Sequence, residues 1–201
     1  FFFSPDYREV IGAARPLDSG RKGKIKNGQV IQLDVRRKIA DLDLPGMPHL
    51  GSGIVFNYKG HQVLATPSLR EAEVDVIDMS NWKTIKKIKT NGPGFFMRSH
   101  ENTPYAWSDV FFGPHKDEVH IIDKRTLKII KTLKPEPGKT AAHIEFTRDG
   151  RYALLSIMEM DGAIIVYDAK TFKEVKRLPM KRPVGKYNVY NKTHLSLGTS
   201  H

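Results

Sequence analysis

The residues whose types could do chemistry gather in four loops: His49, Arg98 with His100, His143, and the turn Val184-Gly185-Lys186. An imidazole ionises near neutral pH, so a loop histidine can give or take a proton, or ligate a metal. For His49 the residues leave two readings open, an acid or ligand role and a loop histidine bonded to backbone. His100 precedes a turn and is expected at the surface. His143, among Ala141, Ala142 and Ile144 at a strand start, is expected to be a satisfied structural histidine. His61, His115, His120, His194 and His201 read as surface or strand positions. No pair has the His-x-x-x-His spacing of a zinc helix, and no Ser-His-Asp order follows from spacing. The chain has no cysteine. That excludes a disulfide framework, a Cys-based zinc site, a thiol nucleophile and a Cys-x-x-Cys-His attachment for c-type heme within this segment. No metal site is assigned.

The elements that must carry these loops are strands. Glu118–Leu133 holds two apolar runs around the polar corner Asp123-Lys124-Arg125-Thr126, a β-hairpin pattern. Gln29–Asp34, Glu73–Asp78 and Ala163–Asp168 repeat it, and the aspartates at 34, 78, 123 and 168 stand 44, 45 and 45 residues apart. An all-strand unit of that period is the mark of propeller blades. The expected fold is all-β, a β-propeller with about four four-stranded blades over 1–45, 46–90, 91–135 and 136–181. The first blade is expected to have lost its first strand. One closing strand is expected over 183–191. The four aspartates are read as turn-formers, and Trp107 with Phe95, Phe96, Phe111 and Phe112 as blade core. Four blades and a strand are half of a larger ring. Such a piece is expected to pair with the missing half or to dimerise.

Hydrophobic content of 39% with 27% charge is that of an ordinary globular protein. No apolar run approaches the ~18–20 residues of a membrane span. Phe1-Phe2-Phe3 is too short for a signal peptide, and without an initiator methionine the chain is expected to be a fragment or a processed product. The net charge of +11 suggests an acidic partner. The bland account is that the lysines, such as Lys83, Lys86, Lys87 and Lys89, or Lys128 and Lys131, form a solvated outer face. No basic helix or RNP-like motif points to nucleic acid.

Three stretches resemble the heme d1 propeller domain of the cytochrome cd1-type nitrite reductases and their relatives. Met47-Pro48-His49-Leu50-Gly51-Ser52-Gly53 is similar to that family's Pro-His-Pro-Gly-Arg-Gly loop. Gly92-Pro93-Gly94-Phe95-Phe96-Met97-Arg98-Ser99-His100 resembles its Gly-rich lead into a strand ending Lys-Thr-His. Pro183-Val184-Gly185-Lys186-Tyr187-Asn188-Val189-Tyr190-Asn191 resembles its closing Pro-Thr-Gly-Lys-Phe-Asn-Val-Tyr-Asn. The resemblance implies an eight-bladed propeller with heme d1 in its channel, working in the periplasm with an electron-donor protein. It implies that His49 is a distal proton donor to nitrite, that Arg98 faces the heme carboxylates, and that His143 lies near the heme pocket. It also implies that Val184 and Gly185 let the backbone approach the macrocycle. The iron's proximal ligand and any c-type heme domain are expected before Phe1. Ser52 replaces an arginine of the family loop, and Val184 a threonine. The change at Ser52, with His143 where the reductases often carry a glutamine, keeps a second reading open, a heme d1 biosynthesis protein (precursor dehydrogenase or carrier) on the same scaffold. A third is a heme-free propeller that binds proteins.

Overall fold

In the chain's repeated corner the third strand of each blade ends on a side chain that caps the turn into the fourth. Asp78 Oδ1 accepts the Ser80 amide at 2.8 Å, Asp123 Oδ1 the Arg125 amide at 2.7 Å, and Asp168 Oδ1 the Thr171 amide at 2.8 Å. Four residues on from each, Trp82, Leu127 and Phe172 turn back with φ of 57°, 54° and 59°, each donating its amide to the aspartate's carbonyl. The first blade makes the corner differently. There Gln32 holds the capping position, its Oε1 accepting the Val35 amide at 2.9 Å, while Arg36 takes the left-handed turn at φ 53°. Asp34, which the sequence spacing aligned with the other three, lies two residues later and binds Arg8.

The computed structural model describes residues 1–13, 28–44 and 46–194; the basic loop Arg15–Asn27 with its tip Arg21-Lys22-Gly23-Lys24, and His201, lie outside them. The strands form four antiparallel four-stranded sheets, each in chain order. The first holds β1 (Phe2–Phe3), β2 (Glu9–Ala13), β3 (Gly28–Gln32) and β4 (Arg37–Leu42). The second holds β5 (Ile54–Tyr58), β6 (His61–Pro67), β7 (Glu73–Asp78) and β8 (Lys83–Lys89). The third holds β9 (Met97–Ser99), β10 (Tyr105–Asp109), β11 (Val119–Asp123) and β12 (Lys128–Leu133). The fourth holds β13 (Ala141–Phe146), β14 (Tyr152–Ile157), β15 (Ala163–Asp168) and β16 (Glu174–Pro179). The first blade's opening strand is therefore present, as Phe2–Phe3 paired with Val10 and Ile11.

Alternation sends the two faces of each middle blade into different cores. Val55, Leu64 and Ile77 pack toward Ile11, Val30 and Leu42 of the first blade, whereas Ile54, Phe56 and Val76 pack toward Met97, Ala106 and Ile122 of the third. Trp107, fully buried, joins the third blade to Phe146 and Tyr167 of the fourth. The last strands β8 and β12 carry exposed lysines on a solvated face, with Lys87 and Lys89 paired to Glu73.

The expected closing strand over 183–191 does not form. Residues 183–188 run without regular pairing, and Val189–Thr193 is a short helix α1 whose N-terminus is capped by the Asn188 side chain, accepting from the Asn191 amide. Asn188 and Asn191 both donate to the Phe146 carbonyl, at 2.9 and 3.3 Å, pinning the segment across the end of β13. The asparagine cap favours a helical turn there.

Candidate functional site

The loop before β5, the loop before β9, the start of β13 and the segment after β16 meet on one rim, and they bring the predicted residues together. His49 sits just before a 3-10 turn over Leu50–Ser52. Its Nδ1 lies 2.5 Å from the Phe95 carbonyl oxygen and 2.7 Å from Ser52 Oγ, and Ser52 Oγ itself donates to that carbonyl at 2.6 Å. The histidine ring packs on Phe95 at a centroid distance of 4.2 Å. Phe95 meets Phe96 at 4.5 Å, Phe96 meets His143 at 4.5 Å, and His143 meets Tyr187 edge-on at 5.2 Å. The five rings form a continuous rail, with Phe95 and Phe96 between the two imidazoles and Tyr187 beyond the second. Burial lowers the pKa of His49 from its ordinary value, opposed by the bond to Phe95, and this favours a neutral ring at neutral pH.

Phe95, Phe96 and Phe111 are half-buried and Phe112 is exposed, so these residues are rim surface and not blade core. Phe95 and Phe96 stand just before β9 and Phe111 and Phe112 just after β10, so no sheet face carries them into a core. Gly94 allows the close pass that brings them to the rim: a Cβ there would stand 2.8 Å from the Asp109 carbonyl oxygen.

His143 is placed by a bulge. Ala142 pairs with Ser156 but Glu145 with Leu154, so β13 carries one residue more than β14, and His143 adopts φ 55°. Its amide faces Asp109 Oδ2 at 3.4 Å, its Nδ1 faces the Lys186 amide at 3.5 Å, and its carbonyl accepts from Lys186 Nζ. It is thus well satisfied, as the residues suggested, and it also stands on the rim's aromatic rail.

A buried charged layer lies beneath. Arg98, on β9, is buried and paired with Glu145 at 3.6 Å, so its guanidinium is turned into this layer. Lys186 is half-buried as a residue, but its ammonium is enclosed by the His143 carbonyl and Ser156 Oγ, and burial pulls its pKa down to about 7. Asp109 is fully buried and pushed up to about 7 by desolvation, against the pull of the Phe95, Phe96 and His143 amides. Val184 is exposed, and its carbonyl accepts from Ser156 Oγ at 3.3 Å. Gly185 passes so close that a Cβ would meet the Tyr187 ring at 3.3 Å and His143 Nε2 at 3.6 Å.

His100, expected at the surface, is buried. Its Nδ1 accepts the Asn102 amide, its Nε2 faces the Arg148 carbonyl at 3.1 Å, and it locks the third blade to the fourth away from the rail. His120 is also buried, between Thr132 Oγ1 and the Asn91 amide. No cluster of three or more metal-ligating side chains occurs among the described residues, and no helix among them is long and apolar enough to cross a membrane.

The chain matches the cytochrome D1 heme domain family over residues 1–192. It belongs to that family. Among curated relatives, the dihydro-heme d1 dehydrogenase of Pseudomonas aeruginosa is 54% identical over 201 residues, which is all of this chain and 39% of that protein. Protein NirF of the same organism is 28% identical over 170 residues, covering 81% of this chain and 41% of NirF. The chain therefore spans less than half the length of the curated relatives it matches. Among solved structures, dihydro-heme d1 dehydrogenase NirN in complex with DHE superposes with a TM-score of 0.88 at 54% identity, over 96% of this chain and 40% of that one. The hydrazine synthase of Kuenenia stuttgartiensis superposes with a TM-score of 0.69 at 14% identity, over 90% of this chain and 48% of that one, a likeness of fold alone. Within a cytochrome D1 heme domain, the rim suits a macrocycle of the d1 kind. A half-exposed aromatic strip offers an apolar contact, Gly185 leaves its backbone uncovered by a side chain, and the basic groups Arg98 and Lys186 lie beneath for a carboxylated ring.

Proposed function

We propose that this chain is the substrate-holding part of a dihydro-heme d1 dehydrogenase, an enzyme that oxidises the saturated side chain of the heme d1 precursor. The observation that carries the reading is the 54% identity with such a dehydrogenase across all 201 residues. It favours the biosynthetic reading over the nitrite reductase that the family loops first suggested.

Forming a carbon–carbon double bond breaks two C–H bonds and releases two protons and two electrons. The protons need bases. His49, held neutral by its surroundings, and His143, on the bulge, stand at the two ends of the Phe95–Phe96 pair and are the imidazoles assigned to that task. Phe95, Phe96, Phe111 and Tyr187 hold the macrocycle and exclude water from it. Arg98 and Lys186 supply positive potential toward its carboxylates, with Arg98 partly offset by Glu145. A c-type heme carried outside this chain would take up the two electrons, in a periplasmic setting with an electron-carrying protein partner.

The test is an absorption titration of the full-length protein with dihydro-heme d1, followed by an electron acceptor. Conversion of the precursor spectrum to that of heme d1 supports the reading. Nitrite reduction without conversion would move the assignment to a nitrite reductase, and binding without either reaction to a carrier.

A further inference from the structure

Asp109, the last residue of β10, is a carboxylate with no exposed surface, and it touches both halves of the rail. Its Oδ1 accepts the Phe95 amide at 2.7 Å and the Phe96 amide at 3.0 Å, and its own amide donates to the Phe96 carbonyl at 3.1 Å. Its Oδ2 faces the His143 amide at 3.4 Å. The Phe95 carbonyl, on the peptide that follows the first of these amides, is the partner of His49 Nδ1. One side chain therefore holds the backbone that carries the His49 contact and the backbone that carries the second imidazole.

The His143 peptide needs such a grip. It is a bulged residue with positive φ, a conformation that costs a non-glycine residue energy unless its surroundings enforce it. Asp109 takes its amide and Lys186 its carbonyl, so it is clamped from both ends. Gly94 leaves the room for Asp109 to reach this place.

We propose that Asp109 is a positioning residue that fixes the His49 and His143 imidazoles relative to each other. That the imidazoles act on a substrate rests on the function proposed above; that Asp109 sets their places rests on these bonds alone.

Two variants of the full-length protein separate the two arms of the grip. In Asp109→Asn the remaining oxygen can still accept from Phe95 and Phe96, but the new NH2 group faces the His143 N–H, donor against donor. Asp109→Ala removes both arms. The readouts are the 15N chemical shifts of the two imidazoles in the ligand-free protein, and kcat and KM for dihydro-heme d1. Asp109→Asn is expected to move the His143 signals, leave those of His49 in place, and lower kcat about tenfold or more with KM within about threefold. Asp109→Ala is expected to move both sets of signals. If both variants keep both histidines at the parent shifts, the proposal is overturned, even if the rate falls. If the signals move but the parent protein never oxidises dihydro-heme d1, the functional reading falls and the positioning role stands. Should neither variant fold, Gly94→Ala displaces the Asp109 carbonyl without removing the carboxylate. Unmoved histidine signals in that variant would equally overturn the proposal.

Discussion

His49 Nδ1 lies 2.5 Å from the carbonyl oxygen of Phe95, so the ring carried by the loop into the second blade is oriented by the backbone of the third. Because that bond engages Nδ1, Nε2 is the nitrogen left for the acid–base role proposed for this ring. His49→Ala is expected to bind dihydro-heme d1 within about threefold of the parent affinity and to oxidise it about a hundredfold more slowly. A spectral titration and a single-turnover rate measure the two effects separately. An unchanged rate would remove His49 from the chemistry.

Ser52 stands where the resembling nitrite reductase loop has an arginine, and here it is 2% exposed with its hydroxyl 2.6 Å from the Phe95 carbonyl. An arginine has no room in that place and would break the clamp on the rail. Ser52→Arg is expected to lower the melting temperature and to weaken binding of dihydro-heme d1 about tenfold. Gain of nitrite reduction with undiminished stability would show that the loop can host the arginine after all.

Asp109 and Lys186 give stability opposite dependences on pH. The Asp109 carboxyl is raised to about 7, so its contribution to stability is greatest below the unfolded carboxylate pKa of ~4 and is lost as pH rises through about 7. The Lys186 ammonium is lowered to about 7, so its contribution is greatest above the unfolded pKa of ~10.4 and is lost as pH falls through about 7. Together they put a dip in stability near neutral pH. Urea unfolding at about pH 5, 7 and 9 should show Asp109→Asn flattening the acid limb and Lys186→Met the alkaline limb. An acid limb of parent slope in Asp109→Asn would mean that the carboxyl titrates normally.

Gly150 has φ 73° in the turn between β13 and β14, and a Cβ added there would run into the imidazole of His100. Gly150→Ala is expected to cost about 1–3 kcal/mol from the backbone alone, with more from the displaced ring. Denaturant melting would show it, and the imidazole shifts of His49 and His143 should stay put because this joint is remote from the rail. Parent-like stability would mean that the turn re-forms without the left-handed residue.

The strand order and the blade corners were legible because they follow from local rules, alternation and a capping aspartate every 45 residues or so. The first corner misled because Asp34 offered the right residue type two positions late, while Gln32 does the capping. Residues 183–191 read as a strand, yet Asn188 caps a helix over Val189–Thr193 and, with Asn191, ties the segment to the Phe146 carbonyl. His49, Arg98, His143 and Gly185 could be gathered from their loops alone. Asp109, Glu145 and Lys186 could not be given roles, because their burial is decided where blades meet, many residues away in sequence. Phe95-Phe96 and Phe111-Phe112 read as blade core but lie just outside β9 and β10, in the rim loops, where no sheet face buries them.

The bulge in β13 separates the His143 side chain from the sheet's pairing. The ladder to β14 closes on either side of His143 without that residue's help. A change of side chain at position 143 therefore leaves the sheet's pairing intact, provided the newcomer tolerates the left-handed backbone. A propeller built this way can drift between activities over evolutionary time by altering a residue its architecture does not depend on. In that sense the spare residue is where the fold keeps its capacity to be repurposed.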